Sequence, residues 1–268
     1  MSQATSDETG LPRQEPEGAG RDLLVRAYLN AGILDGGVVI ERVEGTPQGG
    51  PLSPLLANVL LDEVDRVLER RGHRFARYAD DCNVYVRSWK AGERVMRLLR
   101  RCYDKLHLKI NESKSAVTCV FGRKFLGYAL WRAGNGEVRR GVSKKALETF
   151  RQRIRQLTRR NGGRSMAEVI ERLRSYLLGW KGYFGPAQTP RIWRSLDEWI
   201  RRRRRALQLK QWRRGRTIYR ELRKLGASAR VAQSVAALSR RGWHNSLSAV
   251  HHVLTIAYYD RQGVPRLS

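Results

Sequence analysis

Asp80 and Asp81 stand side by side in the stretch Arg77-Tyr78-Ala79-Asp80-Asp81-Cys82-Asn83-Val84-Tyr85-Val86. Adjacent like charges repel, and Asp is a poor strand residue. Strand-like runs flank the pair, so it sits either in an ordinary solvated turn or at a tight hairpin tip where the acids hold a cation. Mg²⁺ suits the second case, because it takes carboxylates together with water and substrate phosphates. Two such ions can clamp the attacking and leaving oxygens of an in-line phosphoryl displacement.

The surroundings of the pair are basic. The 268-residue chain has 53 Lys and Arg against 25 Asp and Glu, a formal net charge of +28. Such an excess points to a polyanion partner, nucleic acid before membrane. The charge is uneven: residues 1–66 are net −6, residues 67–134 net +10, residues 135–225 net +20 and residues 226–268 net +4. A mixed module is therefore followed by a strongly basic one, with a join expected at the turn-forming Gly134-Asn135-Gly136. At 41% hydrophobic the chain can bury a core. No apolar run approaches about 18 residues, which excludes a membrane-spanning helix. Residues 1–20 are polar and acidic, unlike a secretory signal or an Arg-rich transit peptide, and read as a disordered leader. Cys82, Cys102 and Cys119 have no ligand spacing and read as reduced thiols of a cytoplasmic protein.

The elements that must position the acids follow from periodicity. Ile33 to Ile40 reads as a hairpin with Asp35-Gly36 as its turn. Glu44 to Pro54 is a Gly- and Pro-rich loop that lets the backbone approach a ligand. Ser53 is expected to cap a helix running to about Arg71, with Pro54 at its first position and Leu56, Val59, Leu60, Val64, Val67 and Leu68 along one face. Short strands at Phe75–Tyr78 and Asn83–Val86 enclose Ala79-Asp80-Asp81. A helix from about Ala91 to Leu106 and strands at 107–110, 116–121 and 124–131 complete an α+β layer. The remainder reads as a helical bundle: one helix over Val142–Arg160, a second with a long stripe from Met166 to Phe184, a third marked by Ile192, Leu196, Trp199 and Ile200, and a fourth by Ile218, Leu222 and Leu225. Trp180, Trp193 and Trp199 fit core packing. The histidines have no metal-ligand spacing.

Three segments in this order, the loop at 45–54, the acid pair and "FLGY" at Phe125–Tyr128, resemble the reverse transcriptases of group II introns. "GTPQGGPLSPLLANVLLDEVD" resembles the family's loop and helix under the templating base pair, "RYADDCNVYV" its catalytic palm hairpin, "LHLKINESKS" the next motif and "KFLGYAL" the primer grip. "LRSYLLGWKGYFG", "LDEWIRRRRRALQLKQWRRG" and "GWHNSLSAVHHVL" resemble its maturase-specific thumb. The resemblance implies an α+β fold: residues 21–134 as the C-terminal part of a polymerase palm, 135–225 as a mostly helical thumb and RNA-binding domain, and 226–268 as its helical extension. It implies an RNA-directed DNA polymerase with a splicing role. Asp80 would be a direct Mg²⁺ ligand and Asp81 the second carboxylate. Tyr78 and Ala79 would lie against the primer end, Gln48 and Gly49 against nucleotide and template, and Lys114 near the nucleotide phosphates. Implied partners are group II intron RNA, an RNA template with a DNA primer, and a dNTP. In the basic module Arg201, Arg202, Arg203, Arg204, Arg205, Lys210, Arg213, Arg214 and Arg216, beside Trp199 and Trp212, are expected to contact RNA.

The pattern departs from the family at its start. A polymerase palm needs a further Asp on a strand well before the Gly-Pro loop. Asp7, Asp22 and Asp35 lack that context. The expectation is a fragment whose two-ion site is incomplete, which polymerises poorly alone and could be completed by a companion N-terminal chain or a second copy. A non-catalytic RNA-binding splicing cofactor is the alternative.

Overall fold

Among the described residues, apolar side chains at helical spacing organise most of the backbone into helices, with three small antiparallel sheets between them. The computed structural model describes residues 19–30, 33–35, 38–40, 50–247 and 250–268. These group into two compact units that divide between Thr118 and Cys119. The Gly134-Asn135-Gly136 stretch, where the charge balance changes, is instead a hairpin turn within the second unit, closed by the Gly136 N–H donating to the Ala133 carbonyl at 2.9 Å.

In the first unit, α1 (Ala19–Asn30) precedes a two-stranded ribbon, β1 (Ile33–Asp35) and β2 (Val38–Ile40). Asp35 is a strand residue opposite Val38, and Gly36, the other residue of the expected turn, lies outside the described residues. Then follow α2 (Ser53–Arg70), the hairpin of β3 (Arg74–Tyr78) and β4 (Asp81–Tyr85), and α3 (Trp89–Lys105). Leu52, not Ser53, holds the cap position of α2, and it offers no side-chain cap; the proline rule at the first turn still holds. Leu61, Val64 and Leu68 of α2 and Leu98 of α3 are buried together, with Phe75, Cys82 and Val84 of the hairpin packed against them. Val59 and Leu60, counted in the apolar stripe, are exposed. Ser88 caps α3 by accepting the Ala91 N–H at 3.2 Å.

Residues 107–118, expected to hold strand, are irregular. Their polar stretch Asn111-Glu112-Ser113-Lys114 bonds locally, Lys114 N–H to the Asn111 carbonyl and Ser113 Oγ to Asn111 Oδ1. The Ser115 N–H donates to the same Asn111 carbonyl, so these backbone groups close a local turn rather than a ladder.

In the second unit, the run expected as one strand at 124–131 is a hairpin, β5 (Lys124–Phe125) and β6 (Tyr128–Arg132). Its two central residues, Leu126 and Gly127, both have positive φ, 51° and 78°, the signature of a type I′ turn. Gly127 is required twice over, since a Cβ there would lie 3.0 Å from the Phe184 ring. β7 (Val138–Val142) completes this sheet, and the helix expected from Val142 starts after Ser143, whose hydroxyl accepts the Ala146 N–H. The helices are α4 (Lys144–Leu157), α5 (Met166–Phe184), α6 (Pro190–Trp212), α7 (Gly215–Lys224), α8 (Ala229–Ala237), α9 (Gly242–Asn245), α10 (Val250–Val253) and α11 (Ile256–Arg261). Phe150, Leu173, Leu177, Trp180, Leu196 and Ile200 form the larger core, with the Trp180 and Trp193 rings edge to face at 5.1 Å. Ile218, Leu222, Ala232, Val235, Val250 and Leu254 form a second core, from which Leu225 is excluded. No helix among the described residues is long and apolar enough to cross a membrane.

One buried carboxylate ties the end of the chain to α6. Asp197 accepts hydrogen bonds from the backbone N–H of Leu267 at 3.0 Å and of Ser268 at 3.0 Å, and from Ser268 Oγ at 2.8 Å. Leu267 and Val264 bury their side chains in the same core. Asp197→Ala leaves those donors without a partner, and each buried orphan costs about 1–3 kcal/mol. The expected result is a lower urea midpoint with an unchanged slope, measured by circular dichroism; an unchanged midpoint would show that the clasp contributes nothing.

Candidate active-site hairpin and basic surfaces

The acid pair sits at the tip of the β3–β4 hairpin. Tyr78 pairs with Asp81, leaving Ala79 and Asp80 as a two-residue connection. Ala79 has φ 53° while Asp80 does not share the positive sign, the φ pattern of a type II′ turn. Glycine is the usual residue at that first position, and an alanine there stores strain of about 1–3 kcal/mol.

Arg77 holds the turn in this state. Its Nε and Nη2 grip the Asp65 carboxylate of α2 at 2.9 and 2.6 Å. Its Nη1 donates to Asn58 Oδ1 of α2 at 2.8 Å and to the Ala79 carbonyl at 3.0 Å. One planar guanidinium therefore joins the helix to the turn carrying the acids, a task that Lys could not perform with its single ammonium point. The Arg77 and Asp65 side chains are 13% and 18% exposed, so the pair is poorly screened. The hydrogen bond to Asp65 raises the Arg77 guanidinium above its ordinary pKa. Asn58 and Asp65 lie seven residues apart, two turns on one face of α2. That spacing was the available signal for this network, which motif reading alone does not supply.

Tyr78, Asp80 and Asp81 are exposed, and among the described residues neither acid forms an ion pair. Two open carboxylates on a turn suit a Mg²⁺ that keeps waters and takes phosphate oxygens. A complete two-ion set asks for more, and no group of three or more potential ligands occurs among the described residues. Asp65, the nearest further carboxylate in the network, is occupied by Arg77. Lys114 is exposed in a separate turn of the same unit and has no bond to the hairpin acids. Gln48 and Gly49 lie outside the described residues.

The arginine run of α6 divides by helical face. Arg204 is 2% exposed, donates to Gln262 Oε1 at 2.7 Å and lies over the Tyr259 ring at 4.2 Å. Burial lowers its pKa to about 10, and its Nε has no partner. Five consecutive residues span every face of a helix, so one must point inward, and the expectation that Arg204 meets RNA is corrected on that ground. Arg205 bonds the carbonyls of Leu254 and Ser246, Arg203 bonds Thr158 Oγ1 at 2.6 Å, and Arg202 stacks on Trp243 at 3.9 Å. Arg201 is half-buried. Lys210, Arg213, Arg214 and Arg216 are exposed. Arg155, Arg159, Arg160 and Arg240, outside the expected set, share a cleft with Arg203, Lys210 and Arg213. The Arg159-Arg160 pair beside Asn161-Gly162-Gly163 was a visible sign of a basic helix exit.

Two outcomes follow from the hairpin. Breaking the Arg77–Asp65 pair from either side, by Arg77→Gln or Asp65→Asn, is expected to cost near the low end of the about 3–5 kcal/mol of a buried pair. The double variant should cost well under the sum, in denaturant titration; strict additivity would show that the groups are not coupled. Burial beneath the hairpin, helped by the Asp65 charge, pushes the Cys82 thiol to about 11, whereas Cys119 is exposed. Iodoacetamide at pH 8 should label Cys119 well before Cys82, read by peptide mass spectrometry.

Comparison with known proteins agrees with this division of labour. Residues 15–130 match the family described as reverse transcriptase (RNA-dependent DNA polymerase). Residues 147–226 match the group II intron, maturase-specific domain. Protein YkfC of Escherichia coli (strain K12) is 30% identical over 149 residues, covering 41% of this chain and 39% of that protein. Group II intron-encoded protein LtrA of Lactococcus lactis subsp. cremoris is 43% identical over 54 residues, covering 20% of this chain and 9% of that protein. The chain thus spans well under two thirds of the length of the relatives it matches. With an acid-tipped palm hairpin in the matched reverse-transcriptase segment and a helical maturase-specific segment after it, the chain belongs to the group II intron reverse transcriptases/maturases.

Proposed function

We propose that this chain serves RNA-directed DNA synthesis of the group II intron type and binds intron RNA in support of splicing. The observation that carries the reading is the hairpin tip, where Tyr78, Ala79, Asp80 and Asp81 are presented to solvent on a turn clamped through Arg77 to α2. Asp80 and Asp81 would hold Mg²⁺, which supplies charge neutralisation at a transferring phosphate. Tyr78 and Ala79 would support the primer end, Gln48 and Gly49 the nucleotide and template, and Lys114 the nucleotide phosphates. The exposed Lys210, Arg213, Arg214 and Arg216 of the second unit would meet RNA phosphates. Rigid support of the acids is what such chemistry requires, since small displacements of reacting groups cost large factors in rate.

The test is primer extension on an RNA template with Mg²⁺ and all four dNTPs, comparing the wild-type chain with Asp80→Ala. Extension by the wild type is expected to be weak, because the described residues supply two carboxylates to the site. Asp80→Ala should remove what there is by orders of magnitude, each tenfold corresponding to about 1.36 kcal/mol. Extension unaffected by Asp80→Ala would take the hairpin out of the chemistry. No extension, with tight binding of structured intron RNA retained, would assign the chain the RNA-clamping role alone.

A further inference from the structure

The second unit contains a cleft of about 710 Å³ whose charged wall residues are all cationic. Arg155, Arg159 and Arg160 reach it from the end of α4, Arg203, Lys210 and Arg213 from α6, and Arg240 from the segment before α9. Neither Asp nor Glu lines it. Like charges gathered in a concavity repel and focus a positive field outward. Folding gains nothing from that arrangement, whereas an anion entering the cleft does.

The backbone adds an independent mark. Arg213 has φ 62° and ψ −60° at the end of α6, and the Arg214 N–H donates to the Trp212 carbonyl at 2.7 Å. This is a γ-turn of the rare, strained hand, adopted by an arginine rather than a glycine. Strain of this kind persists where the surroundings enforce it, and it gathers at binding sites. Here it sets a cation on the cleft wall. Trp243 lies on the same wall, 38% exposed, with one ring face covered by the Arg202 guanidinium at 3.9 Å. An indole backed in this way is a platform for an unpaired base.

We propose that this cleft, rather than the arginine run as a whole, is the RNA-binding site of the second unit, taking successive backbone phosphates of a looped or bulged strand with one base against Trp243. The proposal rests on the RNA-binding reading above. A rigid A-form duplex presents its phosphates on a convex surface, while an unpaired strand can enter a concavity. Arg204 and Arg205, turned to Gln262 and to the carbonyls of Ser246 and Leu254, serve packing.

The full chain should be titrated with a bulged RNA hairpin and with a fully paired hairpin of equal length, over a range of salt. The cleft variant carries Arg160→Gln, Arg213→Gln and Arg240→Gln. A matched control carries Arg191→Gln, Arg194→Gln and Arg230→Gln, three exposed cations that do not line the cleft. Wild type should prefer the bulged RNA. The cleft variant should lose that preference, with affinity down about tenfold or more and the slope of log K against log salt reduced by about 2, at roughly 0.7 per single-strand phosphate contact. The control should keep both. Equal losses in the two variants, or no preference for the bulge in wild type, would overturn the cleft while leaving diffuse RNA binding in place. Absence of any salt-dependent RNA binding by wild type would overturn the cleft and the RNA-binding reading together. Arg213→Gly gives a separate readout: it relieves the strained turn, so melting temperature should rise while RNA affinity falls, and a parallel fall in both would mark Arg213 as merely structural.

Discussion

A surplus of guanidinium groups is the constraint under which this chain folds. With 53 basic side chains and 25 acidic ones, more than half of the basic groups cannot have a carboxylate of their own. The second unit meets the shortage with other acceptors. Backbone carbonyls serve Arg205 and Arg223, a hydroxyl serves Arg203, an amide oxygen serves Arg204, and aromatic rings face Arg202 and Arg204. These partners are neutral, so they relieve desolvation without cancelling charge. The positive potential of the unit therefore survives folding and remains available to an anion.

The first unit spends a carboxylate where geometry matters more than charge. Asp65 could have stood free on α2, yet it is taken up by Arg77, and the remaining arm of Arg77 fixes the Ala79 carbonyl. The turn is thereby over-determined, which is how an alanine can stay at positive φ. Arg213 of the second unit also keeps a positive φ, there with backbone bonds alone, its own N–H donating to the Leu209 carbonyl and the Arg214 N–H to the Trp212 carbonyl.

Legibility in the sequence followed the strength of the pattern. The hairpin at the acids was readable because hydrophobic alternation flanks a turn, and α5 and α6 because their stripes run for many turns. The strands expected at 107–110 and 116–121 did not form, and between them the Lys114 and Ser115 N–H groups turn back to the Asn111 carbonyl, a local turn in place of a ladder. β7 was concealed by Arg139 and Arg140, which break any apolar alternation in Val138–Val142. Asp80 and Asp81 could be singled out by type, while their support through Asn58, Asp65 and Arg77 depends on contacts between elements. The arginine run shows the limit most clearly. Its composition announces polyanion binding, but burial decides which member is free, and a guanidinium over Tyr259 reads no differently in a string of letters from one in water.

The clasp on Asp197 also bears on the order of folding. Its donors lie 70 and 71 residues further along the chain. The hairpin of β5 and β6 and the pairing of α7 with α8 are local and close early, but this contact has a long loop to close. During synthesis α6 leaves the ribosome with its carboxylate unpartnered and its core open on the side that Val264 and Leu267 later fill. Residues 264–268 thus seal the second unit well after α6 is made, and a nascent chain stalled between the two holds a charged group in an unfinished interior.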